Sequence, residues 1–486
     1  MTPFILVVDK PDRWPLHVPG VEVVAARKYL ADRAYAQPRR YKVINMCRSY
    51  RYQSVGYYVS LLAGARDHRP LPNVSTILDF KSQSIIRSVG GEVDELIQRA
   101  LRPLQSDRFT LSIYFARNMA KRYDRLCRAL YNLFPAPLLR AQFAREGVGR
   151  WALANISPMA SSDIRADHRE FVREAAEAYF SKPVFARKSR KTHRFDLAIL
   201  IDPAEPTPPS NERALRNFEK AADALGIATE TITADDYGRL SAFDALFIRQ
   251  TTAVNNHTYR FARKAEAENL VVIDDPLSIL RCANKVFLAE ILGRHGIAAP
   301  RTLIIHRDNL ESAPEILGLP LILKQPDSAF SQGVVKAADR EAYAAKIEHL
   351  LEGSEMVIGQ AFVPTPFDWR VGILEGKALY ACRYYMARGH WQIYNHERKG
   401  RGFTGNAETI AVEDAPPAVI ETALRAASLI GNSLYGVDLK EIDGKPVVIE
   451  INDNPSIDAG VEDEVLRERL YEQIMRVFLR RMEAKR

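Results

Sequence analysis

The sequence contains no hydrophobic run approaching the roughly 18 residues that a membrane-spanning helix needs, which excludes that class. Its four cysteines, Cys47, Cys127, Cys282 and Cys382, stand far apart and form no Cys-x-x-Cys pair. A disulfide framework and a zinc site therefore both lack support. There is no Gly-x-Gly-x-x-Gly turn, so the usual dinucleotide site is excluded. No internal repeat, low-complexity segment, Lys/Arg block or convincing Ser, Cys or His triad is visible. The opening Met1-Thr2-Pro3-Phe4-Ile5-Leu6-Val7-Val8-Asp9 lacks a basic region and meets an acid early. It reads as a buried first strand and not as a secretory leader, so a cytoplasmic location is the expectation.

What is present is the composition of a globular protein. Hydrophobic residues make up 47% and charged residues 26% of 486, enough chain for about three domains. The net charge of +8 is unevenly spread. Residues 1–194 carry 34 Lys and Arg against 17 Asp and Glu, whereas the other 292 residues carry 34 against 43. Such an asymmetry suggests different partners for the two parts, or simply an arginine-rich surface. Without a Lys/Arg block, zinc spacing or stacking-aromatic motif, nucleic acid is disfavoured as a partner.

Periodicity divides the chain. Strand-like runs at residues 4–8, 21–24 and 41–46, followed by helical spacing at 56–63, argue for a parallel α/β unit. Spacing from about 107 to 180 is mainly helical, and the basic stretch 182–194 reads as a linker. A second α/β region has strands at 197–201, 245–248 and 270–273 and helices at 211–225 and 259–268. Beyond Asp275-Pro276 the pattern changes to a helix at 285–295, strands around a small-residue loop, longer strands and a terminal helix at about 465–482. The domains expected are 1–181, a linker 182–194, an α/β domain 195–280 and a further domain 281–486.

The most informative stretch is Val447-Val448-Ile449-Glu450-Ile451-Asn452-Asp453-Asn454-Pro455-Ser456. Alternation puts Glu450 and Asn452 on one strand face. The preceding strand offers Asp438 at a hairpin's distance across Asp443-Gly444. Three hard oxygen donors of this kind suit Mg²⁺ when phosphate and water fill its remaining positions. Lys285 starts a helix, and Lys324 ends the apolar run 319–323, where it is either a snorkelling surface residue or a phosphate ligand. The loop 327–334 is rich in small residues that let backbone N–H groups approach phosphate. The strand 357–363 could present an edge to adenine, and Asp368 could accept from ribose hydroxyls.

Lysine, strand lysine, small-residue loop, edge strand, acid-x-Arg, Asp, then Glu-x-Asn: in this order the chain from roughly residue 195 to 486 resembles the ATP-grasp superfamily, specifically the RimK-like amino-acid ligases. Asp244-Ala245-Leu246-Phe247-Ile248-Arg249-Gln250-Thr251-Thr252 resembles the strand–Arg loop of that family's pre-ATP-grasp domain. Residues 45–58 resemble the N-terminal domain that accompanies a subset of its members. The resemblance implies an α/β and α+β architecture, an ATP-grasp fold preceded by a pre-ATP-grasp α/β domain and an extra N-terminal α/β domain. It implies ATP, with Lys285 and Lys324 on the phosphates, Gln360, Ala361, Phe362 and Val363 at adenine and Asp368 at ribose. It implies Mg²⁺, or Mn²⁺ in its place, on Asp438, Glu450 and Asn452. Ala361 departs from the family's usual acidic residue and removes an acceptor for the adenine amino group. Arg370 and Arg383 are the catalytic candidates, and Arg249 and Asn395 the substrate-side candidates.

The implied reaction joins a carboxylate, such as that of glutamate, to an amine of a small molecule, peptide or protein end, through an acyl phosphate. A kinase of related fold, or an ATP-binding sensor or scaffold without turnover, are the alternatives. The resemblance leaves a homo-oligomer open.

Overall fold

A computed structural model describes residues 4–14, 21–36, 41–146, 149–180, 193–327, 333–393 and 405–485. The chain forms two compact units, one of Met1–Ala198 with Ile232–Asp244, the other of Ile199–Thr231 with Ala245–Arg486. Most of the expected linker, the small-residue positions 328–332 and Asn395 lie outside the described residues.

In the first unit, β1 (Phe4–Val8), β2 (Glu22–Ala25), β3 (Lys42–Asn45) and β4 (Arg69–Leu71) form a parallel sheet in the order β2-β1-β3-β4. Ile5, Leu6, Val7 and Val8 are all buried, as a run of apolar residues must be when both sheet faces are covered. Asn45, fully buried at the end of β3, donates from Nδ2 to the Gly56 carbonyl (2.7 Å) and Ser60 Oγ (2.9 Å) and accepts from the Cys47 N–H. These bonds fasten the strand to the helix Val55–Ala65, whose N-cap Ser54 accepts from the Tyr57 N–H. Gly56 is required at this junction, because a Cβ there would lie 2.4 Å from the Ser49 carbonyl oxygen.

The expectation of mainly helical structure over 107–180 is corrected by the structure. β5 (Arg108–Tyr114), β6 (Leu138–Glu146) and β7 (Arg150–Pro158) form an antiparallel sheet between helices such as Asp124–Leu133 and Arg169–Phe180. Ala, Leu and Arg favour helix intrinsically. Burial of Leu111 and Ile113, of Leu139, Ala141 and Phe143, and of Trp151 and Leu153 follows a period of two and overrides that propensity.

In the second unit, β8 (Phe195–Leu200), where the chain passes from one unit to the other, β9 (Ile227–Ile232), β10 (Ala245–Ile248) and β11 (Val271–Ile273) alternate with helices Glu212–Ala224 and His257–Ala267. Next come β12 (Thr302–Ile305), β13 (Leu321–Lys324), β14 (Val334–Ala337) and β15 (Val357–Ala361), an antiparallel sheet ordered β12-β15-β13-β14. A second antiparallel sheet holds β16 (Phe367–Leu374), β17 (Lys377–Tyr385), β18 (Ala407–Ile410), β19 (Leu434–Ile442) and β20 (Lys445–Asn452), ordered β18-β17-β16-β19-β20. Helices Lys285–Arg294 and Pro417–Ser428 cover one face of this sheet through Leu288, Leu292, Val419 and Ala423. The opposite face carries Arg370, Asp438, Glu450 and Asn452.

Asn45→Ala should lower folding stability by about 2–3 kcal/mol, because it leaves the buried Gly56 carbonyl and Ser60 hydroxyl short of a donor. Urea denaturation checks this.

Candidate active site

A cleft of about 1450 Å³, counting its open mouth, is lined from both antiparallel sheets of the second unit. Its floor is built by register. β19 and β20 join through Asp443 (φ 50°) and Gly444 (φ 75°), the two left-handed positions of a tight Asp-Gly hairpin turn. From that turn Leu439 faces Val448, and both enter the core. The next residue of β19, Asp438, pairs not with Ile449 but with Glu450, because the register shifts there. That β-bulge reverses which side chains of β20 face the cleft. Asp438, Glu450 and Asn452 are thereby brought to one face.

Cross-strand pairing then sets charge against charge. Arg370 on β16 lies opposite Asp438 and donates to both carboxylate oxygens at 2.7 Å. Lys440, on the same face of β19, donates to Asp368 (2.5 Å) and to Thr365 Oγ1 (2.7 Å). Lys285 Nζ, at the start of its helix, lies 2.9 Å from Glu450. Burial raises the Glu450 carboxyl, but Lys285 and Lys324 outweigh it and hold the group below its usual range. Lys324, at the end of β13, donates to Gln360 Oε1 at 2.8 Å. Burial, reinforced by Lys285 and Lys440, pushes its ammonium down to about 8. Burial raises the Asp368 carboxyl despite Lys440.

Most of the residues singled out in the sequence line this cleft: Lys285, Lys324, Gln360, Ala361, Phe362, Val363, Asp368, Arg370, Asp438, Glu450 and Asn452. Two do not. Arg383 pairs with Trp369 across β16 and β17, one position out of phase with Arg370, so alternation turns it to the other face. There its guanidinium lies 4.8 Å from the Trp369 ring and pairs with Glu408. Arg249 is buried and donates five hydrogen bonds, to Ser210, the Pro209 and Pro455 carbonyls and Asn454. It clasps two loops together and does not line the cleft. The strand edge expected for adenine is also absent, since β15 is paired on both sides, with β12 and β13. Phe362 and Val363 lie just past its end.

Sequence reasoning missed Lys440, two residues after Asp438 and so on its face, a period-two signal that was available. It also missed Thr251, Thr252 and Asp453, which line the same cleft. Burial pushes the Asp453 carboxyl up to about 6, although Thr252 hydrogen-bonds to it.

Comparison with known proteins gives this cleft its context. A RimK-like ATP-grasp domain matches residues 282–466, and a RimK-like ATP-grasp N-terminal domain matches residues 26–175. The chain belongs to the RimK-like ATP-grasp ligases. This ATP-grasp ligase is 26% identical to a "Probable alpha-L-glutamate ligase" of Syntrophotalea carbinolica, over 47% of the present chain and 76% of that protein. It is 28% identical to a protein of the same name from Thioalkalivibrio sulfidiphilus, over 46% and 72%. Among solved structures it is similar to an ATP-grasp RimK domain protein from Sphaerobacter thermophilus, with 18% identity, a TM-score of 0.44 and coverage of 58% of this chain and 99% of that one. It is also similar to an ATP-complexed D-alanine–D-alanine ligase of Bacillus anthracis, with 16% identity, a TM-score of 0.47 and coverage of 60% and 100%.

The family implies ATP and Mg²⁺. The donor set in the cleft of this ATP-grasp ligase fits a hard divalent ion. Among the described residues no three His, Cys, Asp or Glu side chains cluster, so two carboxylates need an amide oxygen as third donor. Asn452 stands beside them: its Nδ2 donates to Asp438 Oδ2 at 3.2 Å, and its Oδ1 is the amide oxygen that could serve. Oxygen-only ligation of this kind is what Mg²⁺ favours over softer metals.

The buried Lys324 ammonium gives a stability prediction. Its folded value lies near 8, below the ordinary value of about 10.4. The cost of keeping it charged is therefore present below pH 8 and disappears as pH rises from 8 towards 10.4. Lys324→Met should stabilise the free protein at pH 7 by an amount on the order of 2 kcal/mol, and by less at pH 9.5. Chemical denaturation at the two pH values checks the sign.

Proposed function

We propose that the chain is a carboxylate–amine ligase that joins an amino acid such as glutamate to the amine of a peptide, protein or small acceptor. The observation that carries this reading is the interleaving, in one cleft, of Lys285, Lys324, Arg370 and Lys440 with Asp438, Glu450 and Asn452. Such a site activates a carboxylate by phosphorylation and needs no protein nucleophile. The names of the relatives support glutamate as the acid.

In the proposed reaction a substrate carboxylate oxygen attacks the γ-phosphorus of ATP, and the bond to the bridging oxygen breaks, releasing ADP. The acyl phosphate is then attacked by the amine nitrogen. The C–N bond forms, the C–O bond to phosphate breaks, and the nitrogen loses its extra proton. Lys285 and Lys324 hold the phosphates, and Asp368 receives the ribose. The Ala361 N–H is already bonded to the Arg301 carbonyl, and the Gln360 side chain is held by Lys324 and Thr302. Adenine therefore falls to the backbone of Phe362 and Val363. Asp438, Glu450 and Asn452 hold Mg²⁺, or Mn²⁺, which when bound spreads the negative charge of the phosphates. Arg370, oriented by Asp438, opposes the charge that develops on the transferred phosphoryl group. The same reading keeps four parts along the chain: 1–181, the linker 182–194, 195–280 and 281–486.

Glu450→Gln should cut ADP formation by about 10²–10³, or roughly 3–4 kcal/mol of transition-state stabilisation, with an unchanged circular dichroism spectrum. ADP release at the wild-type rate would count against the assignment. Phosphate release that requires both an acid and an amine separates ligation from kinase activity.

A further inference from the structure

The first unit holds a cavity that the ligase reading leaves unused. It measures about 930 Å³ counting its open mouth, within the roughly 300–1,000 Å³ that small organic ligands occupy. Its wall comes from the turn after β5, from helices Asp124–Leu133 and Arg169–Phe180, and from the short helix Ala234–Ala242 in the chain between β9 and β10. Every lining residue belongs to the first unit.

Charge in the wall is almost balanced. Arg128 pairs with Asp235, and Arg239 donates to Asp236 at 2.7 Å. Asp236 also closes a capping box with Thr233, so both of its oxygens are committed. Arg117 is the third arginine. Among the described residues it forms no ion pair, and its guanidinium lies over the Phe171 ring, 5.5 Å from the centre. Stacking of this kind holds the planar fork ready for a bidentate oxyanion. The backbone fixes it further. Phe115 (φ 48°) and Ala116 (φ 67°) are successive left-handed residues in a turn closed by reciprocal hydrogen bonds between Tyr114 and Arg117. Such positions usually fall to Gly, Asn or Asp. Strain of that sort persists where the surroundings over-determine it, and ligand clamps are a common place. Here the Phe115 N–H donates to the Pro137 carbonyl at 2.8 Å, and its ring lies against Tyr179 and Phe180.

Much of the remaining wall is ring and methyl group. Phe115, Ala175 and Ala178 offer carbon only, and the Tyr131 and Tyr179 hydroxyls bond each other at 2.9 Å. We propose that this cavity binds a small organic acid, with its carboxylate on Arg117 and an apolar body against Phe115, Ala175 and Ala178. One unpaired guanidinium matches one negative charge, and Asp235 and Asp236 in the same wall disfavour a dianion such as a phosphate ester. Such an acid could arrive as an apolar amino acid or as its deaminated counterpart. The cavity shares no lining residue with the ATP-grasp cleft, so the proposal stands independently of the ligase reading.

Calorimetric titration of the full-length protein at neutral pH tests this. The probes are phenylpropionate and L-phenylalanine, the amide of each, and inorganic phosphate. At least one of the two acids should bind with a Kd below about 1 mM. Tighter binding of L-phenylalanine points to an amino acid as the natural ligand, and tighter binding of phenylpropionate to a deaminated acid; either supports the site. The amide of the acid that binds should be weaker by about tenfold or more, the loss that follows removal of a charge-assisted hydrogen bond. Arg117→Met should weaken the acid by a similar factor. Ala178→Leu narrows the cavity from an exposed helix position and should weaken it without touching any charge. Failure of both acids to bind, equal binding of acid and amide, phosphate binding as tightly as the acid, or unchanged affinity in either variant overturns the proposal.

Discussion

One extra residue in β20 governs the site. If the Asp443-Gly444 hairpin continued in regular register, Asp438 would face Ile449, and Glu450 and Asn452 would point into the core beside Val448. Two charged or amide groups would then replace apolar contacts beneath the helices Lys285–Arg294 and Pro417–Ser428. The bulge removes that conflict. Val448 and Ile451 stay buried on one side while the oxygen donors emerge on the other.

Once the register is set, electrostatics follows from the cross-strand ladder. Asp368 and Arg370 on β16 meet Lys440 and Asp438 on β19 in a crossed pattern, each acid beside a base. In a partly buried cleft such pairs offset the cost of losing water, and bidentate Arg370–Asp438 geometry does so best. Lys324 differs from them. Its donor goes to the neutral Gln360 amide, so its charge is incompletely balanced and its ammonium is held low. The cleft is short of negative charge at that point.

The two units present different kinds of construction. The first relies on apolar strands and on polar junctions such as Asn45 with Gly56 and Ser60. The second places polar residues along the cleft and leaves buried carboxylate oxygens unpartnered, both of them at Asp274 and Oδ2 at Asp453. Natural folds retain that sort of local conflict at places where a ligand resolves it.

The sequence alone determined the elements whose pattern is local. The Asp-Gly turn, the Glu450–Asn452 alternation, the helix beginning at Lys285 and the buried runs of the parallel strands were all legible, because each depends on spacing within a few residues. Eleven of the site residues named from the sequence therefore line the cleft. Only the tertiary structure decided what depends on partners distant in the chain. It set the phase of Arg383, which is turned away from Arg370 by pairing with Trp369. It put β15 between two strands and not at an edge, and it made strands of β5, β6 and β7 despite residues that favour helix. It also left both oxygens of Asp274 and one of Asp453 without donors, a fact no local pattern records, because burial and hydrogen-bond satisfaction are properties of the assembled neighbourhood.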